Sequence, residues 1–335
     1  MRHRLPFRTL IVVAGLLGVC FPGQSPMSSS PAAPPPPATV HGHRGVYLTA
    51  YAAARPGFLE GTLDHLARFG LDAVVIDVKN NQGEVCYPSQ VDLAHRIGAV
   101  KPLLDLTAVV WAVHARGMYA IARQVVFYDP LLARHLGSST APWVLPTVEA
   151  AVEYNLAIAG EVERAGFDEL QLDYIRFPDD GPIGPDYSAR CAAVEAFLVQ
   201  AKDRLSLPIS VDVYGRVMWP WNARRIDPIG QHLEGMARLV DVVSPMLYPS
   251  HFVEQELKND PYGTVRRTME HGLARVDTPL RPFLQAFAMA IPPGMTLAEY
   301  IVAQVRAAEE TGADGYLFWN PRSDYSALWE ALGRR

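Results

Sequence analysis

The sequence predicts a single parallel (β/α)8 barrel, a TIM barrel, over residues 44–335, preceded by a leader and a proline-rich spacer. Three observations carry that expectation. From residue 44 onward, strand-like and helix-like segments alternate eight times. Many of the strand-like runs end in polar residues, at the end where a parallel barrel does its chemistry. No glycine-rich phosphate turn follows an early strand, which counts against the alternative of a doubly wound open sheet.

The first strand is residues 45–50, GVYLTA. A helix with Leu59, Leu63 and Leu66 on one face follows, stopped at Gly70. Residues 73–79, AVVIDVK, form the second strand, and its helix runs over about 102–116 to Gly117. The third strand spans 118–127. The next helix is expected from Thr147 as N-cap, with Glu149 in the first turn and Val148, Val152, Leu156, Ala159 and Val162 as its stripe. Residues 169–177 form the fourth strand, and a helix over 187–205 buries Val194, Phe197, Leu198 and Ala201. The fifth and sixth strands are 208–214 and 241–248, with a short helix at 231–239 between them. A helix at 262–274 leads to the seventh strand, 282–287. Thr296 and Glu299 form a capping box for a helix carrying Leu297, Ile301 and Val305. The eighth strand is 315–320, and a last helix closes the chain.

The chain of 335 residues is 49% hydrophobic with a formal net charge of -5, enough for a large core and unlike a nucleic-acid binder. Residues 1–21 read as an export signal, because Arg2, His3, Arg4 and Arg8 precede a short apolar run. Leu17-Gly18-Val19-Cys20 is close to a lipoprotein cleavage box, so a lipid anchor at Cys20 is the one membrane contact to consider, with an uncleaved leader as its alternative. Residues 22–43, rich in Pro, Ser and Ala, bury too little to fold and form a spacer. The expected location is the periplasm or cell surface. Cys86 and Cys191 have no metal spacing, and a disulfide between them is left open.

Side chains alternate across a strand, so the inward rows can be read off. Asp77 and Lys79 share one on the second strand, and Arg123 ends that of the third. Gln171 and Asp173 share that of the fourth. Ser210, Asp212 and Tyr214 alternate on the fifth, and Ser244, Met246 and Tyr248 on the sixth. Gln285 lies on the seventh and Asn320 ends the eighth. Barrel centres are normally filled by branched apolar residues, so this much polarity predicts a lined cavity. The plainer reading of Asp77, Lys79 and Arg123 is an internal ion-pair network.

Carboxylates on neighbouring strands beside tyrosines and amides suit glycosidic cleavage. Asp173 and Asp212 are the expected catalytic pair, with Asp173 ionised and Asp212 the acid. Arg176 and Tyr248 would hold the charge of Asp173. Asp77, Lys79, Arg123, Gln171, Tyr214, His251, Gln285 and Asn320 would contact substrate, and Trp319 or Trp219 would stack on a sugar face. If the pair failed, the acid would be sought in Asp77, Glu84, Glu254 or Glu256. A separation of about 5–5.5 Å would imply retention and about 6.5–9.5 Å inversion. No cofactor or metal is expected. His41 and His43 imitate a metal-binding H-x-H pair but precede the first strand, at the wrong end of the barrel. The acidic turn Asp179-Asp180-Gly181 suits calcium only weakly.

GFDELQLDYIRFPDDG at 166–181 resembles the signature of the bacterial glycosyl hydrolase domain family. The likeness continues in VVIDVKN (74–80), IARQVVFYDP (121–130), EYNLAIAGE (153–161), SVDVYG (210–215), IGQ (229–231), SPMLYPSHF (244–252) and Trp319-Asn320. The resemblance implies a TIM barrel distantly similar to α-amylase-like hydrolases. It also implies a poly- or oligosaccharide substrate from a cell envelope or matrix, Asp173 as nucleophile, and retention. Four positions depart from the pattern. Gln171 stands where the amylase-like pattern has Arg, and Asp212 where it has Glu. Leu145 and Ala286 replace acidic residues expected within the family. Two further readings remain: a glycan-binding barrel without turnover, and a metal-dependent hydrolase.

Overall fold

The computed structural model describes residues 39–179, 186–220 and 227–334. Eight parallel strands close into a barrel in chain order, each paired with the next and the last with the first. They are β1 (Arg44–Leu48), β2 (Ala73–Lys79), β3 (Tyr119–Val125), β4 (Glu169–Asp173), β5 (Ile209–Tyr214), β6 (Val242–Leu247), β7 (Phe283–Gln285) and β8 (Tyr316–Trp319). The open-sheet alternative is thereby excluded. Among the described residues, no helix is long and apolar enough to cross a membrane. The leader, Cys20 and the acidic turn beyond Asp179 lie outside the described residues. The spacer's last residue belongs to the packed body: His43 is buried, stacks on Tyr119 at 3.9 Å and bonds Asp72.

Strands β2, β3 and β4 are buried along their whole length, because helices cover the outer face and the barrel fills the inner one. Inside, Tyr47, Val75, Ile121, Phe283 and Leu317 form a cluster of their own. The larger apolar cluster lies between sheet and helices. There the helix Glu149–Ala165 buries Val152, Leu156, Ala159 and Val162, each large aliphatic contributing about 1.5–3 kcal/mol. That helix ends at Gly166, whose φ of 90° suits a residue without Cβ and turns the chain into β4. The capping box of Thr296 and Glu299 forms.

Several boundaries differ from the sequence reading: β4, expected over 169–177, ends at Asp173, and β7, expected over 282–287, is Phe283–Gln285. The helix expected over 102–116 spans Leu106–His114, because Asp105 supplies the cap by accepting the Ala108 N–H. The helix expected to be capped by Thr147 has Val148 at that position, without a side-chain cap bond. Cys86 and Cys191 are both buried free thiols.

Candidate active site

The site lies where β3, β4 and β5 end. Arg123 of β3 stands in register with Gln171 of β4, and Asp77 of β2 with Arg123. The guanidinium therefore lies between two carboxylates. Its Nε donates to Asp173 Oδ2 at 3.0 Å and Nη2 donates to the same oxygen, while Nη1 donates to Asp77 Oδ1. Asp77 Oδ2 also accepts the Tyr47 hydroxyl at 2.6 Å. Tyr47 stacks on Trp319 at 3.8 Å, and the guanidinium sits 4.9 Å from the Trp319 ring centre. Asp77 thus fixes Arg123, and Arg123 fixes Asp173. The second Asp173 oxygen accepts the Tyr174 N–H at 2.6 Å.

Asp212 on β5 is 1% exposed, and its Oδ1 has no hydrogen-bond partner among the described residues. Burial, then the negative charge of Asp173, hold this carboxyl well above the usual carboxylate range, against Arg123 and Arg281. The Tyr248 hydroxyl is pushed up by burial and then by Asp212 and Asp173. Burial also raises the Asp77 carboxyl. Arg123 stays firmly cationic: Asp173 and Asp77 together outweigh the larger single effect of its burial.

These groups open into a cavity of about 940 Å³ at the C-terminal mouth. Eight of the anticipated residues line it: Arg123, Asp173, Arg176, Asp212, Tyr214, Tyr248, His251 and Trp319. Trp219 and Glu254 line it as well. His251 has its ring pKa lowered by burial and contacts Tyr248 edge-on. The expectation that Arg176 holds the charge of Asp173 is corrected. Tyr174 adopts φ 53°, turning the chain just past the strand. Arg176 then lies 4.5 Å from the Trp143 ring centre and 4.6 Å from that of Tyr214, donates to the Phe177 carbonyl and pairs with Asp179. Tyr214 donates to Asp179 at 3.0 Å.

Five anticipated residues do not line the cavity. The β2 register shifts between Asp77 and Lys79, so Lys79 pairs with Gln124 and takes the outward row. Its ammonium lies 2.8 Å from Asp129 and donates to the Val125 carbonyl, fully buried. Asp77 and Arg123 thus form the ion pair expected of an internal network, and Lys79 pairs elsewhere. Asp77 itself sits behind Arg123. Gln171 lies deeper and donates to Ser244. Gln285 donates to the Phe287 and Met289 carbonyls, and Asn320 to those of Ala286 and Asp324. Both amides shape loops. Sequence reasoning assigned Tyr174 to the packing face, yet it lines the cavity, because the left-handed turn breaks the alternation. Trp143, Arg216 and Asp179 carried no periodic signal.

Residues 45–325 match the family model described as "Putative glycosyl hydrolase domain". The chain belongs to that family. No curated protein sequence matches it. Among solved structures, the PgaB (BpsB) glycoside hydrolase domain from Bordetella bronchiseptica superposes with a TM-score of 0.62 at 16% identity, over 87% of this chain and 98% of that one. An endo-1,4-beta-D-mannanase from Thermotoga petrophila does so with 0.58 at 12% identity, over 83% and 87%. The spore cortex-lytic enzyme SleL from Bacillus megaterium does so with 0.55 at 13%, over 91% and 75%. At these identities the likeness is one of fold.

Within this glycosyl hydrolase domain the departure at Gln171 has a physical counterpart. The guanidinium absent from β4 is supplied by Arg123, the register neighbour of Gln171. Ala286 is buried, and its N–H serves the Trp319 carbonyl.

Proposed function

We propose that the chain hydrolyses glycosidic bonds of a poly- or oligosaccharide from a bacterial envelope or matrix, with Asp212 as acid and Asp173 as nucleophile. The observation that carries this reading is the contrast between the two carboxyls facing one cavity. Asp173 lies against Arg123, whereas Asp212 is buried, forms no ion pair among the described residues and is held toward its protonated form. Asp212 would protonate the leaving oxygen as the C–O bond breaks, and its electron pair would go to that oxygen. Asp173 would take the anomeric carbon, and water activated by the Asp212 carboxylate would release the sugar. Retention is proposed from the resemblance to amylase-like barrels. Trp319, Tyr214, Tyr248 and His251 would contact the sugar.

The test is product analysis on a panel of envelope and matrix polysaccharides, wild type beside Asp173→Asn, with NMR reading the first anomer formed. Wild-type cleavage lost in the variant supports the proposal. Tight glycan binding without product in either protein would make the barrel a binding module. Cleavage lost with chelator and restored by zinc would move it to the metal-dependent class. We further propose export, on the leader sequence alone. Full-length protein free in the cytoplasm would overturn that, and an equally membrane-bound Cys20→Ser variant would remove the lipid anchor.

A further inference from the structure

Beneath the catalytic pair, the barrel holds a second charged pair that the proposed chemistry does not use. Glu169, at the start of β4, shares the inward row of Gln171 and Asp173. Arg281, just before β7, donates from Nη2 to Glu169 Oε1, and both side chains are fully buried. The same oxygen accepts the Ser210 hydroxyl at 2.5 Å, and Ser210 stands two residues before Asp212 on the inner face of β5. The pair is under-bonded. Arg281 Nε and Nη1, Gln171 Oε1 and Asp212 Oδ1 lack partners among the described residues, while the Tyr119 hydroxyl approaches Glu169. A guanidinium with two unpartnered nitrogens thus lies below a carboxyl with an unpartnered oxygen. Such orphaned atoms are costly in a barrel core and call for a role.

Asp212 needs a cation at one moment in particular. Once its proton has gone to the glycosidic oxygen and Asp173 has become a neutral glycosyl ester, Asp212 carries the negative charge of the pair as a buried carboxylate. Arg123 already serves Asp173 and Asp77. We propose that Arg281, steered by Glu169, is a positioning residue for the general acid, supplying from below the positive charge that the Asp212 carboxylate faces after proton transfer. This rests on the hydrolase reading above.

The groups facing Asp212 are Asp173 and Glu169 of β4, Arg123 of β3, Tyr248 of β6 and Arg281. Arg281 lowers the Asp212 pKa and Glu169 raises it, with Arg281 the larger influence. Tyr119 and His43 face the lower pair. The two members of the ion pair act on Asp212 with opposite signs, so removing either one moves the Asp212 midpoint in a direction known beforehand.

The test is the Asp212 midpoint, followed by carbon NMR of labelled aspartate in the intact chain, beside the pH profile of kcat/KM. Arg281→Met should raise the midpoint by about one pH unit and move the alkaline limb up with it, while lowering kcat. Glu169→Gln should lower both, and Arg281→Lys should restore them. Because a lone buried charge can prevent folding, the neutral double variant Glu169→Gln/Arg281→Met provides a second route. It should sit slightly above wild type. An unmoved midpoint in Glu169→Gln and in the double variant overturns the proposal. Midpoints that move as stated in a protein cleaving no glycan would uphold the electrostatic coupling while refuting the hydrolase reading.

Discussion

Arg123 donates through Nε and Nη2 to a single oxygen of Asp173, and its third nitrogen goes to Asp77. The carboxylate that would meet an anomeric carbon is therefore held by a residue from the neighbouring strand, itself braced by Tyr47 and Trp319. Removing one member of a buried ionic cluster costs about 3–5 kcal/mol, because the remaining charges lose their compensation. Arg123→Met should lose stability on that scale and abolish turnover. Arg123→Lys should fold with a smaller loss, since it keeps the charge but cannot donate to both carboxylates as a planar fork. Thermal melts beside kcat on a cleaved glycan check this. A fully active Arg123→Met enzyme would refute the assignment.

Asp212 and Asp173 should separate by substrate. On an unactivated glycan, Asp212→Asn should lose about 10²–10⁴ in kcat through loss of acid catalysis. An aryl glycoside with a good leaving group needs little protonation, so the deficit should shrink there. Asp173→Asn should be slow on both. Equal deficits for Asp212→Asn on the two substrates would remove it as the acid.

The raised Asp212 pKa also makes a stability prediction. The folded state keeps a proton that the unfolded chain releases at the ordinary carboxylate value, about 3.9. The stabilising contribution is complete below that value and is lost as pH rises toward the folded pKa, at about 1.4 kcal/mol per pH unit crossed. Asp212→Asn removes this dependence. Its melting temperature should gain on wild type between weakly acidic and neutral pH and match it in acid. A difference independent of pH would show that Asp212 does not titrate in that window.

The barrel was legible because each segment has one dominant period, and eight of them leave few other topologies. Asp173, Asp212 and Arg123 were legible because alternation holds to the ends of β3, β4 and β5. The reading failed where the backbone breaks that rule, at the left-handed Tyr174 and at the irregularity in β2. It also failed for Gln285 and Asn320, whose amides look like sugar ligands in sequence but serve backbone carbonyls. Glu169 and Arg281 carry no such signal, because they pair on the barrel floor, away from the strand ends where chemistry is expected.

Lys79 offers the cleanest test of how far alternation can be trusted. Read by period two, it shares a face with Asp77 and would meet substrate. Read with the register shift, it points toward the helices, its ammonium between Asp129 and the Val125 carbonyl and 5.5 Å from the ring centre of Tyr154. These readings predict different losses. Lys79→Met would leave Asp129 buried without its cation, costing about 3–5 kcal/mol, while Arg123, Asp173 and Asp212 keep their places. The variant should melt lower, yet at a temperature where it remains folded its KM and kcat should match wild type. Lys79→Met/Asp129→Asn should recover part of the stability, because no unpaired charge remains. A selective rise in KM without loss of stability would return Lys79 to the substrate face and place the irregularity elsewhere in β2.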